Sequence, residues 1–306
     1  MKWIIDTDPG IDDAAALITA VRGPLDIIGI TSVHGNTPLE HTTRNALLLL
    51  EMLGAEVPLY RGAERALLEP PRNATSVHGD DGFGNLFLPD PERRPESMHA
   101  VDFMLEAASR HPGSLSILAL GPLTNLALAI AKDRSFPGKV AEVVLMGGTS
   151  EAKGNTTVVG EFNVAADPEA AAIVFGSGIP IRMVPWETTL RCIVGGEHLQ
   201  QIQESTSPVA STFWRASRVL SRLIKDLLGI DGLLLCDLVA AAIAIDPSVT
   251  REEVEVFVGV ETCGSIARGL TAVDYSRLSG REPNAKVCLD VDAERVAQMF
   301  IDAVTE

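Results

Sequence analysis

The stretch Ile4-Ile5-Asp6-Thr7-Asp8-Pro9-Gly10-Ile11-Asp12-Asp13 decides how the rest of this chain is read. Trp3, Ile4 and Ile5 form a short apolar run of the kind a buried strand carries. Pro9 and Gly10 break that run into a turn. From Asp12 onward, Ala14, Ala15, Ala16, Leu17 and Ile18 read as a helix, with Asp12 and Asp13 in its first turn. The unit is therefore strand, loop, helix, with acids at the carboxyl end of the strand. Open α/β sheets bind ligands at that edge. Four carboxylates within eight residues repel one another and stay ionised together only around positive charge. Asp8 and Asp13, five apart across a tight turn, can converge on one hard cation, which prefers oxygen ligands. Capping is an ordinary role for one of these acids, but a helix start needs one or two caps, not four. A strand this near residue 1 leaves no room for a signal peptide, and the expected compartment is the cytoplasm.

Beyond this unit the pattern alternates strand and helix nearly to the end. Expected strands are Leu25–Thr31, Ser114–Leu120, Val140–Met146, Ile181–Pro185, and two late ones, Val254–Val260 and Lys286–Val291, suited to a sheet edge. Expected helices are Pro38–Leu53, Ser97–Arg110, Leu123–Asp133, Asp167–Phe175, Pro208–Leu228, Cys236–Ile245 and Ala293–Val304. This order implies an α/β fold with an open, largely parallel, doubly wound sheet and helices on both faces. The segment from Arg61 to Pro95 is irregular, with Pro70, Pro71, Pro89, Pro91 and Pro95 and the glycines Gly79, Gly82 and Gly84. A loop that long inside a compact domain is usually functional or mobile. No repeat, low-complexity linker or composition shift divides the 306 residues, so residues 1–306 are expected to form one domain.

Composition narrows the function classes. The hydrophobic content of 46% supports a sizeable core. A net charge of −16 argues against a nucleic-acid partner, which needs a basic surface. The four cysteines, Cys192, Cys236, Cys263 and Cys288, have no C-x-x-C spacing, so neither a zinc site nor a disulfide framework is indicated. No apolar run is long and uninterrupted enough to span a membrane.

Polar clusters follow several of the strands: Val33-His34-Gly35-Asn36, then Gly121-Pro122-Leu123-Thr124-Asn125, then Gly147-Gly148 with Asn155, Glu161, Phe162 and Asn163 beyond. Asp237 opens a helix after Leu233-Leu234-Leu235. Loops at one edge of a parallel sheet lie together, so these groups should meet Asp8, Asp12 and Asp13. Singly, Asn36 reads as a turn residue, Thr124 as a helix cap and Asn163 as a loop residue. Together, acids, amides and a hydroxyl at successive strand ends read as a site.

Asp6-Thr7-Asp8-Pro9-Gly10-Ile11-Asp12-Asp13 resembles the signature of the inosine–uridine-preferring nucleoside hydrolase family. Gly121-Pro122-Leu123-Thr124-Asn125 and Gly160-Glu161-Phe162-Asn163 resemble two further motifs of that family, in order along nearly the whole chain. The resemblance implies an open α/β fold, a bound Ca²⁺ and hydrolysis of the N-glycosidic bond of ribonucleosides. It implies that Asp8, Asp13, Asp237 and the backbone carbonyl of Thr124 hold the calcium, and that Asp8 takes a proton from the attacking water. Asp12 and Asn163 would bind the ribose 2′- and 3′-hydroxyls, with Asp237 helping at the 3′ side. Asn155 and Glu161 would bind the 5′ side, Asn36 would sit beside the ribose, and His78 would lie near the base. Family members are usually homodimers or homotetramers, and the same is expected here.

The residue types suit that chemistry. Breaking a glycosidic bond develops positive charge on the sugar, which nearby carboxylates stabilise. Amides fix hydroxyls whose geometry changes as the ring flattens. One position departs from the family. Members best known for purine and pyrimidine hydrolysis carry His immediately before the last metal-binding Asp, placed to protonate the leaving base; this chain has Cys236. A thiol is a poor substitute, and its plain reading is a small buried hydrophobe. His78 is then the remaining proton donor near the base, with Trp186, Trp214 and Phe83 as aromatic candidates for stacking. Of the other histidines, His34 and His41 flank Asn36, while His99, His111 and His198 fall on helices or their ends.

Three other functions compete. A haloacid-dehalogenase-like phosphatase also opens with Asp-x-Asp after a strand, but needs Thr or Val where Gly10 stands. An EF-hand loop counted from Asp8 needs Gly and Glu where Asp13 and Thr19 stand. A nucleoside-binding sensor without turnover, or a hydrolase of another N-riboside, stays open.

Overall fold

The computed structural model describes residues 1–70 and 72–306; Pro71 of the irregular segment lies outside the described residues. The strands are β1 (Lys2–Thr7), β2 (Asp26–Ser32), β3 (Leu59–Arg61), β4 (Leu115–Ala119), β5 (Val140–Met146), β6 (Ile181–Val184), β7 (Ile193–Val194), β8 (Leu233–Leu234), β9 (Thr250–Val256), β10 (Val258–Val260), β11 (Thr271–Val273) and β12 (Ala285–Val291). Eight of them form one sheet in the order β3-β2-β1-β4-β5-β6-β12-β9. β1 pairs in parallel with both β2 and β4, Asp6 standing opposite Thr31 on one side and Ala119 on the other. The chain order reverses between β1 and β4, and a crevice opens at such a switch point.

Both faces of the sheet are covered. Trp3, Ile5, Leu118, Leu120, Val144 and Met146 pack into one apolar cluster, whose helices include Ile11–Arg22, Leu39–Met52, Pro208–Leu228, Cys236–Ile245 and Ala293–Thr305. Ile4, Ile117, Ala119, Val143 and Leu145 pack into the other, with helices Ala100–Arg110, Thr124–Lys132 and Pro168–Phe175. Alternate residues of one strand feed opposite cores, which is why these strands are continuous apolar runs. Burying each Ile, Leu or Val side chain stabilises the fold by about 1.5–3 kcal/mol.

Helix Ile11–Arg22 shows why the opening stretch turns where it does. The Gly10 N–H donates to Asp13 Oδ2 at 2.9 Å, closing the first turn, and Asp12 and Asp13 sit where a helix N-terminus favours negative charge. Elsewhere the observed boundaries sharpen the expected ones. The helix expected from Ser97 starts at Ala100, with the His99 side chain accepting from the Val101 N–H at 3.2 Å. The expected strand Val254–Val260 is two strands that part at Phe257: β9 is the antiparallel edge of the main sheet, and β10 forms a hairpin with β11. β12 lies inside the sheet, parallel to β6. The irregular segment contains the helix Thr75–His78 and a loop gathered by Asp81, which accepts from the Phe83, Asn85 and Phe87 N–H groups at 2.7–2.8 Å. Among the described residues, no helix is long and apolar enough to cross a membrane, and all four cysteines are free thiols.

Candidate active site

The switch point places Asp8 just beyond β1, Gly35 and Asn36 beyond β2, and Gly121 beyond β4. Two glycines cradle the Asp8 carboxylate. A Cβ on Gly35 would lie 1.9 Å from Asp8 Oδ2, and one on Gly121 would lie 2.4 Å from Asp8 Oδ1. The Asn36 N–H donates to Asp8 Oδ2 at 2.7 Å, while Oδ1 is buried with no partner. Asp13 is the opposite case. Its Oδ1 accepts from Thr7 Oγ1 at 2.5 Å and the Asp8 N–H at 3.3 Å, and its Oδ2 from the Gly10 N–H and Asn36 Nδ2, both at 2.9 Å. Asp12 and Asp237 resemble Asp8, each with a buried Oδ1 that no group satisfies. Carboxylate oxygens of Asp12, Asp13 and Asp237 lie within 4.8 Å of one another.

Crowding and burial act on these acids in one direction. Burial first, then neighbouring carboxylates, pushes Asp8 and Asp237 well above the usual carboxylate range. Asp12 and Asp13 are raised to about 6, chiefly by burial. Buried oxygens without partners are costly. A group of acids that cannot ionise together, with three such oxygens, has the donor set of a hard divalent cation. A divalent cation fits the residues present.

A cavity of about 510 Å³ opens over Asp12 and Asp237; Asp8, Asp13 and Thr124 lie buried behind its lining. Asp12, Asn36, Asn155, Glu161, Asn163 and Asp237 all reach it, as does His78. Asn163 Nδ2 is tied to the Leu120 and Met146 carbonyls at 2.8 and 3.1 Å, which leaves its Oδ1 as acceptor. Glu161 caps the helix Phe162–Ala166, accepting from the Asn163, Gly148 and Val164 N–H groups at 2.8, 2.7 and 3.2 Å; burial raises it to about 7. Asn155 is exposed at the rim, its Oδ1 accepting from the Phe162 N–H at 2.9 Å. Thr124 is buried, and its side chain serves the scaffold: Oγ1 donates to Asp167 Oδ2 at 2.7 Å and meets His34 Nε2 at 3.0 Å.

His78 Nδ1 accepts from the Ile11 N–H at 3.1 Å, so the hydrogen of the neutral ring is on Nε2. Burial lowers its imidazole to about 4, and near neutral pH the ring is an uncharged donor. Cys236 lines the cavity, and burial pushes its thiol well up, so it stays protonated. Trp186 lines the cavity too. Trp214 and Phe83 do not; they pack into the apolar cluster.

Several supporting residues escape a sequence reading. Asn125 donates to Asp6 Oδ1 at 2.8 Å and to the Ser32 carbonyl at 3.1 Å, and accepts from the Ala63 N–H at 2.8 Å. It ties together the ends of β1 and β2 and the chain after β3. Its signal in the sequence is its place in Gly121-Pro122-Leu123-Thr124-Asn125, which does not say what it ties together. The cavity's apolar wall, Leu220, Leu223, Ile224 and Leu227, comes from helix Pro208–Leu228, whose amphipathic pattern does not say what it faces.

The family model for inosine–uridine-preferring nucleoside hydrolases matches residues 3–298. The chain belongs to that family. It is 38% identical over 301 residues to the non-specific ribonucleoside hydrolase RihC of Shigella boydii, covering 98% of this chain and 97% of the relative. It is 41% identical over 276 residues to probable uridine nucleosidase 1 of Oryza sativa, covering 89% and 85%. Among solved structures, the plant nucleoside hydrolase PpNRh1 superposes with a TM-score of 0.94 at 35% identity, covering 99% of this chain and 98% of that one. A purine-preferring ribonucleoside hydrolase from Gardnerella vaginalis gives 0.93 at 29% identity, covering 100% and 98%. As a nucleoside hydrolase, the protein is an N-glycosidase that splits ribonucleosides into ribose and free base.

Proposed function

We propose that this nucleoside hydrolase works with Ca²⁺ held by Asp8, Asp13, Asp237 and the Thr124 carbonyl, with Asp8 as general base. The observation that carries the reading is the convergence of Asp12, Asp13 and Asp237 carboxylate oxygens within 4.8 Å of one another, with an unsatisfied buried oxygen on each of Asp8, Asp12 and Asp237. A divalent cation bound there would supply the positive charge that keeps these acids ionised and would make a nearby water more acidic. Asp8, pinned through Oδ2 by Asn36, takes the proton of the attacking water at its free Oδ1. Asp12 and Asn163 Oδ1 accept from the ribose diol, with Asp237 at the 3′ side. Losing the 2′-hydroxyl would strand these acceptors, which selects ribose over deoxyribose. Asn155 and Glu161 bind the 5′ side, and Asn36 Oδ1 lies beside the ring. The carboxylates stabilise the charge that develops on the sugar.

At the base, His78 Nε2–H donates a hydrogen bond to the departing ring. An imidazole lowered to about 4 gives it little charged acid form at neutral pH. Asn73 to His78 and the wall from Leu220 to Leu227 flank the cavity, and closing them over a substrate would exclude water. Consistent with the family, the chain acts as a single catalytic domain in a cytoplasmic homodimer or homotetramer that salvages purines and pyrimidines.

The deciding experiment is ribose release from inosine, uridine, cytidine, adenosine and guanosine, with and without EDTA. Release that EDTA abolishes and Ca²⁺ restores is expected. Release that EDTA leaves untouched would end the metal reading. No release from any nucleoside, in a folded protein that binds Ca²⁺ and ribose, would favour a sensor or another N-riboside.

A further inference from the structure

We propose that a groove beside the catalytic cavity, lined by Arg215, Arg218 and Arg222, binds a phosphate-bearing small molecule. Spacings of three and four put the three guanidiniums on one stripe of helix Pro208–Leu228. All three are exposed and line the same groove of about 410 Å³. Among the described residues, none of them makes an ion pair or a side-chain hydrogen bond. Other bases do: Lys225, on the same helix, meets Asp231 at 3.1 Å, and Arg268 bridges Glu69 and Glu169. The chain has 41 acids against 25 lysines and arginines, so acids to neutralise the stripe are plentiful. Among the described residues, Asp226 is the one acid lining the groove, one turn beyond Arg222, which leaves two positive charges uncompensated. Like charges one turn apart repel. Planar guanidinium forks match phosphate oxygens two at a time, and a phosphate dianion would relieve the repulsion.

The opposite wall of the groove is fixed. Gly84, at φ +69°, seats the Asp81 loop on the long helix; a Cβ there would lie 2.2 Å from the Ala216 carbonyl oxygen. Ser76 and Leu223 line both the groove and the catalytic cavity, so an occupant sits at the cavity mouth. Uncharged nucleosides have no use for three arginines. Phosphorylated ones, or free phosphate, do. A ligand at this mouth would obstruct nucleoside entry, which makes the groove a point of inhibition by phosphorylated metabolites.

The test is calorimetric titration of the whole enzyme with inorganic phosphate, adenosine 5′-monophosphate and adenosine. It is repeated on the triple variant R215Q/R218Q/R222Q, with circular dichroism checking the fold and ribose release checking the catalytic site. Neither control touches the arginines. At least tenfold weaker binding of the monophosphate to the variant is expected, with wild-type binding weakening as salt rises. The monophosphate should inhibit ribose release by the wild type and not by the variant. Replacing all three by lysine should restore part of the binding. Phosphate matching the monophosphate assigns the groove to the free ion; a tenfold advantage of the monophosphate assigns it to nucleotides. Equal binding to wild type and triple variant, or no binding of either phosphate compound at millimolar concentration, would overturn the proposal.

Discussion

The floor and the roof of the catalytic cavity are built on different principles. The floor consists of strand ends locked by short polar bonds: Asn36 to Asp8 and Asp13, Asn125 to Asp6, and Asn163 to the carbonyls at the ends of β4 and β5. The roof is one long helix and the segment from Asn73 to His78, which includes the short helix Thr75–His78, with apolar side chains of the long helix lining the cavity and Leu227 at 70% exposure. Within the floor, Asp13 accepts four hydrogen bonds, while Asp8, Asp12 and Asp237 each keep an oxygen free. Hydrogen bonds fix where the Asp13 carboxylate sits, so it would meet the proposed cation already oriented; the unsatisfied oxygens have capacity left for a cation, water or a hydroxyl. In the proposed mechanism the chemistry falls to the floor and the contact with the base to the roof.

The sharpest break of that contrast is Asp8→Asn. Asn keeps the volume and can still accept from the Asn36 N–H, but it cannot take a proton. kcat should fall about a thousandfold, with the circular dichroism spectrum unchanged. A drop of less than tenfold would move the base elsewhere. On the roof side, His78→Ala should raise KM by about tenfold for nucleosides while kcat changes little, the signature of lost binding without a lost transition-state interaction. A collapse of kcat instead would make His78 part of the bond-breaking step.

The smallest expected effect concerns stability. Asp12 and Asp13 rise from 3.8 to about 6 on folding. Between roughly pH 4 and 6 the metal-free fold therefore binds protons that the unfolded chain has released, and the stability this gives is lost as pH rises through 6. Ca²⁺ needs the ionised carboxylates, so its benefit runs the other way. At a hundred times its dissociation constant it should add about 2.7 kcal/mol at pH 7.5, a Tm rise of about 5 °C, and clearly less at pH 5. Equal shifts at both pH values would separate the metal from these acids.

Much of the floor was legible because its residues are neighbours in sequence or stand just past apolar runs. Asp8, Asp12 and Asp13 share one turn, and Asn36, Thr124, Asn163 and Asp237 each follow a recognisable strand or open a helix. The supporting bonds were less legible, because Asn125 and Asp167 act on partners far away in sequence: Asn125 reaches Asp6, 119 residues off, and Asp167 reaches Leu67, 100 residues off. Periodicity carries no information about such pairs. The split of Val254–Val260 into β9 and β10 was hidden for a related reason. Both halves are apolar enough for strands, and only pairing partners separate them.

Local pattern and motif spacing carry the doubly wound sheet, the acidic turn after β1 and the family, so these could be read from the chain before any fold was known. Tertiary structure alone decided which carboxylate oxygens stay unsatisfied, that Trp186 and not Trp214 reaches the cavity, and that three arginines share a groove with Ser76. Each of these depends on which distant segments meet across the carboxyl edge of the sheet, and burial and hydrogen-bond competition are set only there.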